Sequence, residues 1–445
     1  MPKHFTATTG INTSTYPYKE KPEQLVQVPD SDREVLKRLA SRKMEIATSD
    51  KNLERKELWY RHNGLESSRP MVLAEIQGCM DELFNAGHVT VECENPWARS
   101  IELIMKKEIY EFEVLKDDHV VEPYLNVNWI VFTTHHVDES ELRIYLPETD
   151  GRLGARRWDP PIKDISADFG KLHRREFEVD RTGTAVLREG LEKIVGGIVP
   201  VRIRGSFWWT LGMTWTAIDL IGLENIMLFM YDDPDGLHRI MQFLYDDFTA
   251  YGVWLEREEL FSLNNENDYI GSGGMGYTGD LPQNHRDSSA SLSARRTDIW
   301  ALVESQETVG VGPDQFEEFI FPYQKKISEQ YGLCYYGCCE PVNSRWHVLK
   351  GIPNLRSVSI SPWTDQEFMA DALTDKYVYS RKPKPTMIST REFDEKALRK
   401  DIRFTLEAAK GCNIEFLMKD VHTLDGKPER LARWVEITRE EIQKR

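Results

Sequence analysis

From residue 200 onward, short apolar runs alternate with helical patterns so regularly that few folds can accommodate the chain. Strand-like runs fall at 200–204, 332–338, 356–361, 376–380 and 413–419. Helical patterns lie at about 313–330, 343–350, 365–374, 392–410 and 428–444. Strands separated by single helices imply a parallel sheet with right-handed crossovers. In the 392–410 segment, Ser389-x-x-Glu392 can cap the helix, Leu398, Ile402 and Leu406 form one apolar face, and Gly411 ends it. Repeated over this length, the alternation predicts an α/β protein of the (β/α)8 TIM-barrel type. No glycine-rich phosphate fingerprint opens a first strand–helix turn, as a Rossmann-type sheet would require. In a barrel, chemistry gathers just beyond the C-terminal ends of the strands, so those residues are the ones to inspect.

The N-terminal part is less regular. Residues 1–29 are polar and carry Pro17, Pro22 and Pro29, which reads as an extended arm. A helix is expected from Ser31, where Ser31-x-x-Glu34 forms a capping box ahead of Val35, Leu36 and Leu39. Residues 1–60 thus read as an N-terminal extension and 61–445 as a single barrel. The arm can pack on the barrel or on a second copy, which leaves a homodimer open. Further strands are expected at 70–75 and 126–133, with a helix over 99–114 between them. Residues 148–181, with Trp158-Asp-Pro-Pro161, read as an inserted loop.

At 445 residues and 40% hydrophobic composition, the chain can hold one barrel of about 250 residues plus additions. Its charge, 57 − 73 = −16, repels phosphate backbones and argues against a nucleic-acid partner. Six cysteines without an even framework point to thiols or metal ligands in a reducing compartment. The N-terminus lacks a signal-peptide pattern, and no run approaches the roughly 18 apolar residues of a membrane span, so a cytoplasmic protein is expected.

Two segments carry candidate chemistry. Residues 334–341 read Cys-Tyr-Tyr-Gly-Cys-Cys-Glu-Pro. On a strand over 332–338, Cys334, Tyr336 and Cys338 share one face, and Pro341 leaves Cys338, Cys339 and Glu340 at the C-terminal tip. Thiolates and a carboxylate there suit zinc. Residues 417–424 end the last strand and bring His422 to the same mouth, with Asp420 as an outer partner. The competing reading is a thiol pair packed as small hydrophobes, with His422 capping a helix or meeting solvent. Glu307, at the end of a proposed strand, is the candidate general acid or substrate anchor, or else a helix-capping or salt-bridged glutamate. The run Gly271–Gly279 lacks the Lys-Ser/Thr of a P-loop and is expected to be a mobile loop beside the site, with Tyr277 lining it, or else a disordered surface loop. Phe207-Trp-Trp and Trp215 are expected to be mostly core, with some aromatics facing the ligand.

Several phrases resemble the uroporphyrinogen decarboxylase superfamily over about residues 185–444. They are Arg202-Ile-Arg-Gly-Ser-Phe, Asp233-Pro-Asp-Gly-Leu-His, Gln306-Glu-Thr-Val-Gly followed by Phe316-x-x-Phe-Ile-Phe-Pro-Tyr, and the cysteine and Asp-Val-His segments. The decarboxylases of that superfamily grip an anionic porphyrinogen with paired arginines. Here the corresponding stretch, from Arg69 to Leu83, keeps one arginine and adds acids. The resemblance therefore implies the zinc-dependent, corrinoid-linked methyltransferase branch. On that resemblance Cys338 takes the place of the cysteine in a His-x-Cys motif, Tyr336 replaces its histidine, and His422 falls where a late cysteine would be. The implied zinc ligands are Cys338, Glu340 and His422, with Cys339 as substitute. Gln306, Tyr277 and Tyr336 are the substrate-binding candidates. Gly-Cys-Cys-Glu-Pro, Ser361-Pro-Trp and Lys419-Asp-Val-His-Thr are similar to longer members associated with demethylation of methoxy or methylamino compounds. The expected activity is methyl transfer between a small O- or N-methyl substrate and the cobalt of a corrinoid (cobalamin) protein. The alternatives are a decarboxylase or lyase acting on a less anionic substrate, and a non-enzymatic subunit in which zinc ties strand tips together.

Overall fold

A computed structural model describes residues 16–66, 68–85, 89–141, 143–145, 157–283 and 294–444. Eight strands pair in parallel: β1 (Met71–Ala74), β2 (Leu125–Val127), β3 (Val201–Ile203), β4 (Trp300–Val303), β5 (Leu333–Tyr336), β6 (Leu355–Ile360), β7 (Val378–Arg381) and β8 (Asn413–Met418). Strands β4, β5, β7 and β8 are buried at every residue, as expected of sheet strands covered on both faces. Six of the strands form one parallel sheet in the order β1-β8-β7-β6-β5-β4, and β2 pairs with β3 separately.

The architecture is thus α/β, but among the described residues the parallel strands do not close into the continuous eight-stranded ladder expected from sequence. Side chains and single bonds occupy the joins. Asp118 accepts from the Val72 amide and Asp117 from the Ala74 amide, so carboxylates satisfy the edge of β1 where a neighbouring strand would. At the other join, the Leu211 amide reaches the Leu302 carbonyl at 2.8 Å.

Other expectations shift for local reasons. The 126–133 run splits into β2 and a second strand, Ile130–Thr133, which pairs antiparallel with Phe177–Asp180. Arg143–Tyr145 pairs with Arg157–Asp159, so the inserted segment contributes strands as well as loop. Its residues 148–156 lie outside the described residues, as do residues 1–15 of the arm. The first long helix starts at Asp30 behind Pro29, and Ser31 bonds Asp32 rather than closing a capping box. Asp394, not Ser389, caps the helix Glu395–Ala408, because its carboxylate reaches the amides of Lys396 and Ala397. The 313–330 helix breaks at Ile320, ahead of Pro322, into Pro313–Phe319 and Phe321–Ser328. A satellite core of Leu36, Trp97, Ile101, Leu187 and Leu191 joins the N-terminal helices to those flanking β2. Among the described residues no helix is long and apolar enough to cross a membrane.

Candidate functional site

The first residues past the strands of the six-stranded sheet supply a concentrated set of ionisable groups. Glu75 follows β1, Glu304 follows β4, Lys382 follows β7 and Lys419 follows β8. After β5, Gly337 turns the chain at φ +95° and presents Cys338 one residue later. The strand therefore stops at Tyr336, and Cys338 does not continue its face. All parallel strands of the sheet end on the same side, which is why residues far apart in sequence meet here.

Cys338 is the hub. Its buried sulfur lies 3.6 Å from Cys339 Sγ and 3.9 Å from Lys419 Nζ. The hydrogen bond from Cys339 lowers its pKa most. Burial opposes that, and Lys419 and Lys382 reinforce it, leaving the thiol at about 7. Cys339 moves the other way, because the proton it shares with Cys338 stays on it. Lys382 is depressed to about 8 by burial and by repulsion from Lys419. Burial also acts to depress Lys419, but Cys338 and Glu75 outweigh it and the net shift is upward.

Two acids follow β4. Glu304 is fully buried; its Oε2 accepts from the Gln306 amide at 2.9 Å, while Oε1 has no partner. Glu307, three residues on in a turn of 3-10 helix, accepts from Thr214 Oγ1 at 2.8 Å through Oε2, and its Oε1 is likewise unpartnered. Burial pushes both pKa values up, and Glu307 and Glu340 push Glu304 further. Burial biases both acids toward protonation, and a protonated carboxyl with a free oxygen can donate its proton. The segment after β3 seats them. A Cβ on Gly212 would fall 2.1 Å from the Glu304 carbonyl, so only glycine lets that segment approach so closely.

The glycine-rich run has a packing role. Gly273 (φ +148°) lies where a Cβ would meet Leu417 Cδ1 at 1.9 Å, so the loop lies directly on β8. That contact delivers Ser272 Oγ to within 3.0 Å of Lys419 Nζ. The mobile loop expected from composition is in fact a packed brace, and it steers the cation that faces Cys338.

The remaining candidates are placed as follows. Glu340 accepts from the amides of Ser305 and Cys338, both at 2.9 Å, and so clamps the β4 and β5 tips together. His422 is exposed beside Gly78. Asp420 Oδ2 is 3.7 Å from Cys339 Sγ. Among the described residues no three His, Cys, Asp or Glu side chains are gathered to share a metal ion. With the Glu340 oxygens engaged by amides and His422 turned to solvent, the donor set read from sequence does not fit a three-ligand zinc as arranged. Tyr336 donates to Gln324 Oε1 at 2.9 Å, and Gln324 in turn bonds the carbonyls of Gly212 and Glu304. Tyr277 is buried and donates to Glu122 at 2.6 Å, in a cluster with Lys56. Phe207 and Trp208 join Phe261 and Tyr251 in an aromatic core. Arg69 grips buried Asp118 through both terminal nitrogens, so it is not available to an anionic ligand.

Sequence reading missed Glu304, Lys382 and Lys419 as site residues. Each directly follows a strand, a signal that existed but needed exact strand ends.

No family model and no curated protein matches the chain. A solved structure, a methyltransferase from Methanosarcina mazei, is similar at a TM-score of 0.49 and 12% identity, over 87% of this chain and 99% of that one.

Proposed function

We propose that this protein is a methyltransferase that takes a methyl group from a small O- or N-methyl compound and passes it to the cobalt of a corrinoid held by a partner protein. The observation that carries the reading is the pair of buried Glu304 and half-buried Glu307, both biased toward protonation and each with one buried, unpartnered oxygen. Methoxy and methylamino groups are poor methyl donors because the leaving heteroatom is strongly basic. A proton delivered to that atom as the C–O or C–N bond breaks lowers the barrier. The corrinoid supplies the nucleophile that accepts the methyl group.

This chain's own residues do the rest. Glu304 or Glu307 donates the proton, and the Gln306 amide and Thr214 hydroxyl hold the acids in place. Glu340 fixes the spacing of the β4 and β5 tips, and burial keeps competing water away. No step is routed through zinc. The eight parallel strands, in the order they pair, support a barrel-like arrangement opened at two joins. A decarboxylase of the porphyrinogen type gains no support, since Arg69 is already engaged by Asp118.

The test is a methyl-transfer assay with free cob(I)alamin as acceptor and a panel of methoxyarenes and methylamines as donors. Growth of the methylcobalamin spectrum, lost in Glu304→Gln, is the expected result. Wild-type rates in both Glu304→Gln and Glu307→Gln would remove the acid pair from the mechanism.

A further inference from the structure

Arg345 has no part in the chemistry above, yet the hydrogen bonds of its side chain all converge on the turn that carries the two acids. The guanidinium is buried. Nη1 donates to Thr308 Oγ1 at 3.3 Å, and Nη2 donates to the carbonyls of Thr308 and, at 3.2 Å, Val311. Its Cζ lies 4.3 Å from the centroid of the Phe316 ring, which adds a cation–π contact. Burial opposes the charge; Glu340, on the same segment, supports it while directing its oxygens to the amides of Ser305 and Cys338.

Little else holds the turn. It is a single 3-10 segment, Gln306–Thr308, a geometry that is weakly self-stabilised. The next two residues, Val309 and Gly310, are exposed. Inside the turn, Thr308 reaches back to Ser305. Its amide and hydroxyl donate to the Ser305 carbonyl at 3.1 and 2.9 Å, and the two hydroxyl oxygens are 2.5 Å apart. Glu304 directly precedes Ser305, and Glu307 directly precedes Thr308. A clamp on Thr308 therefore sets the backbone from which each carboxyl departs. The segment after β5 grips this turn twice, through Glu340 at the Ser305 amide and through Arg345 at Thr308 and Val311. Only a planar fork can engage two carbonyls and a hydroxyl together, whereas an ammonium is a single point of attachment. A cation also complements the carbonyl end of a helical turn.

We propose that Arg345 is a positioning residue, which acts through the Thr308–Ser305 pair to hold the carboxyls of Glu304 and Glu307 where the proton is delivered. The proposal rests on the proton-donor reading of those two acids and adds the residue that orients them. Arg345 itself touches no reacting atom.

The experiment compares the full wild-type chain with Arg345→Ala and Arg345→Lys, the second keeping the charge without the fork in case the first misfolds. Hydrogen–deuterium exchange reads the turn, and methyl transfer from a methoxyarene to cob(I)alamin reads the chemistry. In both variants, exchange over residues 304–311 should rise at least about tenfold while β5 and β6 keep their protection. The kcat should fall by about a hundredfold with KM within about twofold, as displaced acids would cause and lost substrate binding would not. Guanidinium ion, added to Arg345→Ala well below denaturing levels, should restore the protection and much of kcat. Unchanged exchange over 304–311 in folded variants would overturn the proposal. So would wild-type kcat in a variant whose turn has loosened, or a loss of protection that spreads to β5 and β6 and that guanidinium does not reverse. Failure of the proton-donor reading looks different: the turn loosens and guanidinium tightens it again, yet wild type transfers no methyl group, or Glu304→Gln and Glu307→Gln both keep full turnover.

Discussion

Lys419 Nζ sits 3.9 Å from Cys338 Sγ and 3.0 Å from Ser272 Oγ, so the tip of β8 holds a cation against the thiol at the tip of β5. The hydrogen bond from Cys339 does most to bring the buried thiol down to about 7, and the Lys419 ammonium adds to it, when burial alone would raise its pKa. The rate of Cys338 alkylation by iodoacetamide should rise with pH through about 7. Lys419→Met should move that rise upward and slow alkylation at neutral pH by about tenfold. An unchanged profile, read by peptide mass spectrometry at Cys338, would show that Lys419 does not govern the thiol.

Replacing Glu304 or Glu307 with glutamine removes a proton donor while keeping its shape. Turnover should drop by at least about a hundredfold. Stability should hold or rise slightly, because a buried carboxyl with an unpartnered oxygen is itself unfavourable. Measuring kcat and melting temperature together separates the two effects. A loss of both would mark the acids as structural.

Gly273→Ala tests the brace. With φ at +148° and a Cβ 1.9 Å from Leu417, the substitution should lower stability by about 1–3 kcal/mol, seen in denaturant unfolding. It should also displace Ser272 and slow Cys338 alkylation, an effect that plain destabilisation would not produce.

His119 supplies a pH signature away from the site. Its Nδ1 is 2.7 Å from Asp117, and Nε2 is 3.7 Å from Glu111. Burial works against the charged ring, but Asp117 and Glu111 outweigh it and raise the pKa to about 9. A raised folded-state pKa gives stability that is full below about pH 6.5 and lost as pH climbs through about 9. The stability difference between wild type and His119→Gln should therefore narrow from pH 6 toward pH 9. A constant difference across that range would show that the imidazolium contributes nothing.

Metal analysis addresses the ligand set read from sequence. Exposed His422 and amide-bound Glu340 lead us to expect the same metal content in wild type and His422→Ala. About one zinc per chain, lost in both His422→Ala and Cys338→Ala, would instead show that the loop after β8 closes onto the thiols when metal binds.

Periodicity along the chain determined much of the α/β character. The runs that became β5 to β8 were visible because buried parallel strands must be apolar at successive positions, and Gly411 marked the end of the penultimate helix. The tip location of Cys338, Cys339 and Glu340 was also legible, since Pro341 cannot continue a ladder. Four-residue β4 was not recognised, so Glu307 was placed at a strand end that belongs to Glu304. Only the tertiary structure decided what each tip residue faces. Lys382 and Lys419 lie 37 residues apart in a chain whose neighbouring strands are brought together by register alone, and Ser272 reaches Lys419 across 147 positions. The same holds for Glu340, whose carboxylate looks like a metal ligand in sequence but serves two backbone amides in the fold. Local patterns fix which residues reach a strand tip; countercharges and hydrogen-bond partners come from other strands, and no local pattern encodes them.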